Sequence, residues 1–317
     1  MNILLTGGCG YVGTPLVEAL VTGGHAVTVF DTQWFGSTLS EKQGILKIIK
    51  GDIRHIDEFT LSGVDSVIHL ANIANDPGVD LNPDLSWEVN VLAGIGLIEA
   101  AIKSGARQFI YASSGSVYGV SEETEVTEDV QLVPISTYNK TKMVAERVFL
   151  SYADQIAVHC VRPGTVCGWS PRMRLDLTVN ILTWHALTKG VVTVFGGQQT
   201  RPNIHIDDMI GVYQHFLRNS GLPSGPYNAG FENMTVLEIA ESVKREVGAD
   251  IVVEQSNDPR SYRLNSDKLL ASGFKSRYSV LDAVKQLKHR HAKGQLNETD
   301  QSYTVGWMKT LGLGTAN

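Results

Sequence analysis

Short, almost continuously apolar runs alternate with longer segments of mixed polarity through the first half of the chain. The runs are rich in β-branched residues, and nearly unbroken apolarity is typical of strands that are covered on both faces. We therefore predict strands at Asn2–Thr6, Ala26–Phe30, Leu46–Lys50, Ser66–Leu70, Gln108–Ser113 and Ala157–Arg162.

Helical periodicity fills several of the intervals between these runs. One apolar stripe with helical spacing ends at Gly23–Gly24 and comprises Val12, Leu16, Ala19 and Leu20. A longer pattern of the same kind extends from about Pro83 to Lys103. Strands that alternate with helices in this way predict an α/β fold, in which a parallel sheet carries helices on both faces.

The alternation loosens after about Pro163. Further along, the sequence predicts a strand at 191–195 and helices near 177–189, 206–218, 236–247 and 279–293. We interpret residues 1–165 as a doubly wound sheet domain to which segments near 204–230 return, and residues 166–293 as a smaller C-terminal lobe. The tail of residues 294–317 shows no clear period, and Trp307 is the only sign that it docks on the rest.

The composition argues against several classes of partner and site. The chain has 317 residues, of which 43% are hydrophobic, and its formal net charge is -6, so no nucleic-acid partner is expected. No stretch of about 18 apolar residues suggests a membrane span, and we predict a cytoplasmic protein. The three cysteines, Cys9, Cys160 and Cys167, lack the spacing of a zinc or redox site, so neither a disulfide framework nor a metal is expected.

A glycine-rich stretch, TGGCGYVG, joins the first predicted strand to the first predicted helix. It contains both Gly8-x-Gly10-x-x-Gly13 and Gly7-x-x-Gly10-x-x-Gly13, and such glycines let a backbone turn approach a pyrophosphate at a helix N-terminus. Alone, the motif also fits an ordinary loop. Asp31 follows at the end of the second strand, where a carboxylate accepts the adenosine ribose hydroxyls and repels a 2′-phosphate. The combination predicts a dinucleotide site that favours NAD over NADP.

Two further segments carry candidate chemistry. YASSGSVYG ends the fifth strand, and YNKTK places Tyr138 and Lys142 four residues apart on one helix face. A nearby cation favours the phenolate form of a tyrosine, which then removes a proton from a substrate hydroxyl held by a serine. Taken singly, each segment has an ordinary reading as a turn, a packed ring or a solvated lysine.

In this order, the glycine turn, Asp31, the Ser113–Gly119 segment and the Tyr138/Lys142 pair resemble the extended short-chain dehydrogenase/reductases. Within that group the resemblance is to the NAD-dependent nucleotide-sugar epimerase/dehydratase family, and it spans residues 1 to about 290. It implies a Rossmann-type NAD-binding domain at 1–165 and a nucleotide-sugar-binding lobe at 166–293. It also implies that Ser114, Tyr138 and Lys142 are catalytic. The NAD contacts that it implies are Gly7, Gly10, Tyr11, Val12, Gly13, Asp31, Asp52, Ile53, Leu70, Ala71, Asn90, Tyr138 and Lys142.

The same resemblance implies contacts to a nucleotide-diphosphate sugar. By position, Asn180, Arg201 and Arg260 match phosphate-binding residues of the family, alongside Ser114. Guanidinium groups suit that role because they bind phosphate oxygens in pairs. Arg172 and Arg174 more readily fit surface ion pairs. The family also pairs two helices across a two-fold axis, and the corresponding stretches here predict a homodimer.

The reaction that these residues favour is hydride chemistry on one alcohol. In the family's 4,6-dehydratases an Asp-Glu pair follows the catalytic hydroxyl residue, whereas Gly115 and Ser116 stand there in this chain. We therefore expect a nucleotide-sugar epimerase that acts at C4 through a transient 4-keto intermediate. The alternatives are a net C4 dehydrogenase, a ketosugar reductase acting on a hexose, deoxysugar or heptose, and a non-catalytic NAD-binding sensor.

Overall fold

The computed structural model describes residues 1–119, 125–255 and 261–314. Its strands are β1 (Asn2–Thr6), β2 (Ala26–Asp31), β3 (Leu46–Lys50), β4 (Ser66–His69), β5 (Gln108–Ala112), β6 (Ala157–Pro163), β7 (Thr165–Cys167), β8 (Val191–Phe195), β9 (Thr200–His205), β10 (Gly225–Ala229), β11 (Glu232–Thr235) and β12 (Asp250–Glu254). Its α-helices are α1 (Gly13–Thr22), α2 (Asp76–Val79), α3 (Pro83–Trp87), α4 (Ala93–Lys103), α5 (Thr137–Leu150), α6 (Thr178–Lys189), α7 (Ile206–Arg218), α8 (Val236–Val247), α9 (Asp267–Ala271), α10 (Val280–Ala292) and α11 (Thr304–Thr310).

Seven parallel strands form the main sheet in the order β10-β6-β5-β4-β1-β2-β3. The chain moves outward from β1 in one direction through β2 and β3, and in the other through β4, β5 and β6. Between β1 and β4 the connections therefore diverge and leave a crevice at the carboxyl ends of the strands. The predicted Rossmann-type sheet is confirmed.

Helices cover both faces of this sheet, which explains why its central strands are mainly apolar. On one face, α1 and α7 contribute buried residues such as Leu16, Leu20 and Phe216 to a core with the sheet. On the other face, α4 and α5 contribute Leu97, Ile98 and Phe149. Burial on both sides removes the polar alternation that a half-exposed strand shows.

A smaller group of elements follows in the second half of the chain. β7, β9 and β11 form a three-stranded sheet, and β8 pairs with β12. Helices α6, α8 and α10 pack around these strands on a separate apolar core that includes Val192, Ile239 and Val284. Meanwhile α7 packs against α1, and β10 joins the edge of the main sheet.

The long helical pattern at 83–103 is divided in the structure. Between α3 and α4, Glu88–Leu92 form a π-helical turn. By length and composition alone the whole run would suit a membrane-spanning helix. However, Leu97 and Ile98 are fully buried against the sheet, so this run is a core helix of the α/β layer.

The C-terminal tail contains a helix that the sequence pattern did not predict. A 3-10 turn at Asp300–Ser302 leads into α11, on which Met308 is buried. The indole of Trp307 donates a 2.6 Å hydrogen bond to the carbonyl of Trp34, so the expected docking through Trp307 is confirmed.

Glycines are required between β1 and α1 because backbone atoms of the protein itself lie where a side chain would be. A Cβ on Gly13 would lie 2.4 Å from the carbonyl oxygen of Gly7, and one on Gly7 would lie 2.6 Å from the amide nitrogen of Ala71. Gly7 also has a φ of +74°, which side chains disfavour. The turn between β1 and α1 is therefore pressed against both α1 and the end of β4.

Gly13→Ala should lower the free energy of unfolding by about 3 kcal/mol or more, because the added methyl group collides with rigid backbone. Denaturant unfolding followed by circular dichroism would measure the loss. Gly221→Ala is the matched control, since nothing lies within 4 Å of its Cβ and its effect should be small. Equal stabilities of the two variants would contradict this account of the turn.

Candidate active site

A cavity of about 280 Å³ opens at the carboxyl ends of the main-sheet strands. Residues from the turn after β1, the ends of β2 and β4, and the start of α5 line its walls. The residues predicted from the sequence that line it are Gly7, Gly10, Tyr11, Val12, Gly13, Asp31, Asp52, Ile53, Leu70, Ala71, Tyr138 and Lys142. Segments that are distant along the chain thus meet where an open α/β sheet binds its ligand.

The Asp31 carboxylate joins the end of β2 to the glycine turn. Its oxygens accept hydrogen bonds from the backbone amides of Cys9, at 2.9 Å, and Gln33, at 2.6 Å. Burial raises the pKa of Asp31, and these two amides act against that shift. Asp31 therefore shapes the turn itself, and each of its oxygens retains a lone pair for a ribose hydroxyl.

Other parts of the cavity wall are held in place by hydrogen bonds from side chains to the backbone. Asp52 accepts a hydrogen bond from the Arg54 amide and pairs with the Arg54 guanidinium, which lowers the pKa of Asp52. Asn90 is 1% exposed; it accepts from the Ile73 amide and donates to the Ile73 carbonyl and to Thr141. Asn90 does not itself appear on the cavity wall that the structure describes, and it instead fixes the segment after β4 that forms this wall.

The serine segment leaves β5 at the same edge. Ser113 lines the cavity and donates a 2.7 Å hydrogen bond to Glu146. Ser114 caps a 3-10 turn at Gly115–Tyr118, and its hydroxyl lies 2.8 Å from that of Ser116. The Ser114 hydroxyl also acts on Tyr138, whose pKa it lowers, so the two predicted catalytic hydroxyls are neighbours.

Helix α5 presents Tyr138 and Lys142 together. Its N-cap is Ser136, whose side chain accepts from the Asn139 amide and thereby fixes where the helix begins. The Lys142 ammonium donates a 2.7 Å hydrogen bond to the Ala112 carbonyl and lies 5.9 Å from the centre of the Tyr138 ring. Lys142 is 1% exposed, and burial lowers its pKa to about 7. Burial also raises the pKa of Tyr138 to about 12.

The sequence predicted that a nearby cation favours the phenolate form of Tyr138, and the pKa values of Tyr138 and Lys142 limit that prediction. The structure brings Ser114, Tyr138 and Lys142 together as predicted. In the protein alone, however, desolvation outweighs the Ser114 hydrogen bond and the charge of Arg174, both of which lower the pKa of Tyr138, so its phenol is neutral at pH 7. Further positive charge at this site is needed to favour the phenolate.

The three residues predicted to bind the diphosphate of the substrate are Asn180, Arg201 and Arg260. Asn180 is fully buried; it accepts from the Gly168 amide and donates to the Tyr11 hydroxyl and the Arg174 carbonyl. To bind a phosphate, the Asn180 side chain would have to give up at least one of these hydrogen bonds within the protein. Arg201 lies on β9 and is not among the described residues that line the cavity. Arg260 lies outside the described residues, so all three assignments stay predictions.

Several cavity residues were not predicted from the sequence. Arg172, Arg174, Thr304 and Met308 all line the cavity, although the two arginines had suggested surface ion pairs. Arg174 does form an ion pair, with Asp176 at 2.8 Å, but within the cavity wall. The pair of arginines two residues apart in SPRMRLD is the one sequence signal for this part of the wall, whereas nothing in the tail sequence identifies Thr304.

The cavity suits NAD on structural grounds. The N-terminus of α1 opens into it with no side-chain cap and no acidic residue in its first turn. Such a helix end offers unpaired amides to an anion, and the pyrophosphate of a dinucleotide supplies one. Asp31 stands beside this turn, where it would meet the adenosine ribose, and Tyr138 and Lys142 stand at the far end, where the nicotinamide would react.

Comparisons with known proteins agree with this geometry. The UDP-glucose 4-epimerase of Lactobacillus helveticus is 28% identical over 90% of this chain and 94% of its own length. The UDP-glucuronic acid decarboxylase 1 of Danio rerio is 30% identical over 83% of this chain and 65% of its own length.

Solved structures share the fold of this chain. MoeE5, solved with UDP-glucuronic acid and NAD, has a TM-score of 0.82 and 25% identity over 93% of this chain and all of its own. The UDP-glucuronic acid 4-epimerase of Bacillus cereus, solved with UDP-glucuronic acid and NAD, has a TM-score of 0.80 and 25% identity over the same shares. The model of the NAD dependent epimerase/dehydratase family matches residues 3–230. The chain therefore belongs to the NAD-dependent epimerase/dehydratase family, and its cofactor is NAD.

Proposed function

We propose that this protein is a nucleotide-sugar epimerase that inverts C4 through a transient 4-keto intermediate. The observation that carries the proposal is the hydrogen bond between Ser114 and Tyr138, where Tyr138 and Lys142 line the NAD cavity and no carboxylate directly follows Ser114. These residues perform proton transfer at one alcohol, and they offer no second acid–base pair for elimination. The 4-epimerases among the similar proteins support this choice.

The surroundings of Gly115 strengthen the argument against dehydration. A Cβ at this position would lie 2.9 Å from the Pro163 carbonyl oxygen and 3.0 Å from a methyl group of Leu264. An aspartate would therefore not fit between β6 and the lobe without displacing backbone. Ser116 is bound to Ser114 and has no group that titrates near neutral pH.

In the forward half of the reaction, Ser114 and Tyr138 hold the C4 oxygen of the sugar. Tyr138 removes the hydroxyl proton while the C4 hydrogen leaves as hydride. Bound NAD supplies the hydride acceptor, and its oxidised nicotinamide brings positive charge to the site. Lys142 anchors the site through the Ala112 carbonyl at the end of β5. In the reverse half, after the sugar has presented its other face, C4 regains the hydride and Tyr138 returns the proton to the C4 oxygen, so the oxidation state of the sugar is unchanged.

The second candidate is net oxidation or reduction at C4, because one half of this cycle uses the same three residues. A decarboxylase is among the similar proteins, and it spans a longer chain than this one. Product analysis separates these reactions, since only epimerisation leaves the oxidation state and the carbon count of the sugar unchanged.

The product of the reaction is the direct test. The protein should be incubated with NAD and a panel of nucleotide sugars, and the products analysed by NMR. We expect inversion at C4 with C6 retained. Tyr138→Phe should fold and keep NAD but lose about 100- to 10,000-fold in turnover, because it lacks the acid–base group.

Tyr152→Phe is the matched control, since this tyrosine lies just after α5 and bonds Glu99 at the surface. Its turnover should equal that of the unchanged protein. A 4-keto-6-deoxy product from an intact nucleotide hexose, or an active Tyr138→Phe variant, would overturn the assignment.

The buried Lys142 predicts a pH-dependent stability. In the unfolded chain a lysine keeps its proton to about pH 10.4, whereas burial lowers the pKa of Lys142 in the folded protein to about 7. The unfolded state therefore binds more protons between these values, and stability should rise with pH by up to about 1.4 kcal/mol per unit.

Denaturant unfolding at pH 7, 7.5 and 8 without added NAD should show this slope, below the range in which the buried cysteine thiols, whose pKa values are raised by burial, act in the opposite direction. Lys142→Met should abolish it and should be more stable than the unchanged protein at pH 7. Lys140→Met, an exposed lysine on the same helix, is the control and should keep the slope. A slope that survives in Lys142→Met would mean that another group titrates.

We also propose that the protein is a homodimer that pairs through α4 and α5. Leu92 is 61% exposed at the start of α4, and Ile95, Ile102 and Val144 are only half-buried on these helices. An apolar face of this kind suits a two-fold helical interface. Sedimentation at micromolar concentration should give a dimer, and Leu92→Glu should give a monomer. A monomeric unchanged protein would refute the proposal.

A further inference from the structure

Arg172 is a buried cation for which the described protein supplies no paired anion. It is 8% exposed, and its guanidinium lies 4.0 Å over the ring of Phe35. Its Nε has no hydrogen-bond partner, and one terminal nitrogen makes a single long bond, 3.5 Å, to the Met173 carbonyl. Leaving a charge buried in this way costs several kcal/mol unless a ligand supplies the counter-charge.

Two other arginines show what is missing at Arg172. Arg162, which is 3% exposed, is paired with Glu146, and Arg174 is paired with Asp176. The Asp176 carboxylate pairs with Arg174 and also accepts a hydrogen bond from the Thr304 amide at 3.0 Å, so it does not pair with Arg172. Within the chain as described, no carboxylate lies within ion-pair distance of Arg172. Burial and the adjacent Arg174 lower the pKa of Arg172 to about 9, although Asp176, Asp31 and Tyr11 act in the opposite direction.

Hydrogen bonds place Arg172 beside the start of α1. The Ser170 hydroxyl donates to the Tyr11 carbonyl at 2.7 Å, and the Tyr11 hydroxyl donates to the Gly168 carbonyl at 2.7 Å. The segment that carries Arg172 is thus tied to the glycine turn. Arg172 and this uncapped helix N-terminus line the same cavity, so two independent features that attract anions meet there.

We propose that Arg172 binds the pyrophosphate of NAD from the side opposite the glycine turn, and that the C-terminal segment of residues 299–310 holds it in place. The Ser302 carbonyl accepts the Leu175 amide at 2.9 Å, and the Thr304 amide binds Asp176, so the tail is joined to the segment just after Arg172. At its other end, Trp307 bonds the Trp34 carbonyl beside Phe35. The tail thereby connects the two walls between which the Arg172 side chain lies.

Arg172 acts on the cofactor alone in this proposal, whichever reaction the enzyme performs. A sugar nucleotide carries a diphosphate of the same chemistry, so the test must separate the two. We assign Arg172 to the dinucleotide because its anchors, Tyr11 and the α1 N-terminus, belong to the dinucleotide turn.

The experiment uses the full chain purified without added cofactor, with residual NAD quantified by acid extraction. NAD, ADP-ribose and UDP are titrated by calorimetry into the unchanged protein, Arg172→Met, Arg172→Lys and Arg107→Met. Arg107 is the matched control because its side chain is 76% exposed at the other end of the sheet. UDP is titrated in the presence of saturating NAD.

We expect Arg172→Met to weaken NAD and ADP-ribose equally, by about 10- to 100-fold, the range for a hydrogen bond to a charged group. Arg172→Lys should recover part of this loss, and Arg107→Met should behave as the unchanged protein. UDP binding should not change. Unaltered NAD affinity in Arg172→Met would overturn the proposal, as would a loss confined to UDP.

Thermal unfolding separates this role from a structural one. Since Arg172→Met removes an unpaired buried charge, the cofactor-free variant should melt at the same temperature as the unchanged protein or higher, while the stabilisation by added NAD shrinks. A lower melting temperature without NAD, or failure to fold, would show that Arg172 is bound within the protein and would overturn the proposal.

Discussion

The close contact between the glycine turn and the end of β4 determines the geometry of the site. Gly7 leaves no room for a Cβ against the Ala71 backbone, and Gly13 leaves none against Gly7 itself. This contact brings the ends of β1 and β4 together at the place where the strand order diverges. The NAD cavity, the wall that Asn90 supports and the approach of α5 all follow from it.

Polar contacts extend this arrangement into the second half of the chain. Tyr11, directly after the turn, binds the Gly168 carbonyl and is itself bound by Asn180 on α6. The turn and the lobe are therefore joined by hydrogen bonds between buried groups, whose loss is costly. Displacement of α6 would be transmitted to the start of α1, and so to the cofactor site.

Much of this architecture is readable from the sequence because it depends on local patterns. Strands buried on both faces are continuously apolar, and the predicted bounds of β1 and β3 match the structure, while Leu70 and Ser113 fall one residue beyond β4 and β5. The proximity of Ser114, Tyr138 and Lys142 was predictable because their spacing is tied to a strand end and a helix start. Features that depend on tertiary contact were not predictable. Helix α11 has seven residues and is stabilised by docking Met308 and Trp307, and the π turn at 88–92 coincides with the inward bonding of Asn90. The sequence likewise could not show that the segment with Arg172 and Arg174 turns towards the cavity.

The tail across the cofactor cavity has a consequence for how the enzyme relates to metabolism. Its two ends are tied to opposite walls by hydrogen bonds, and Thr304 and Met308 line the cavity between them, an arrangement that favours slow release of the dinucleotide. A cofactor that leaves more slowly than the reaction turns over does not equilibrate with the free pool. Its oxidation state is then governed by the sugar in the site, and a reaction that returns its own hydride becomes independent of the redox balance of the surrounding solution.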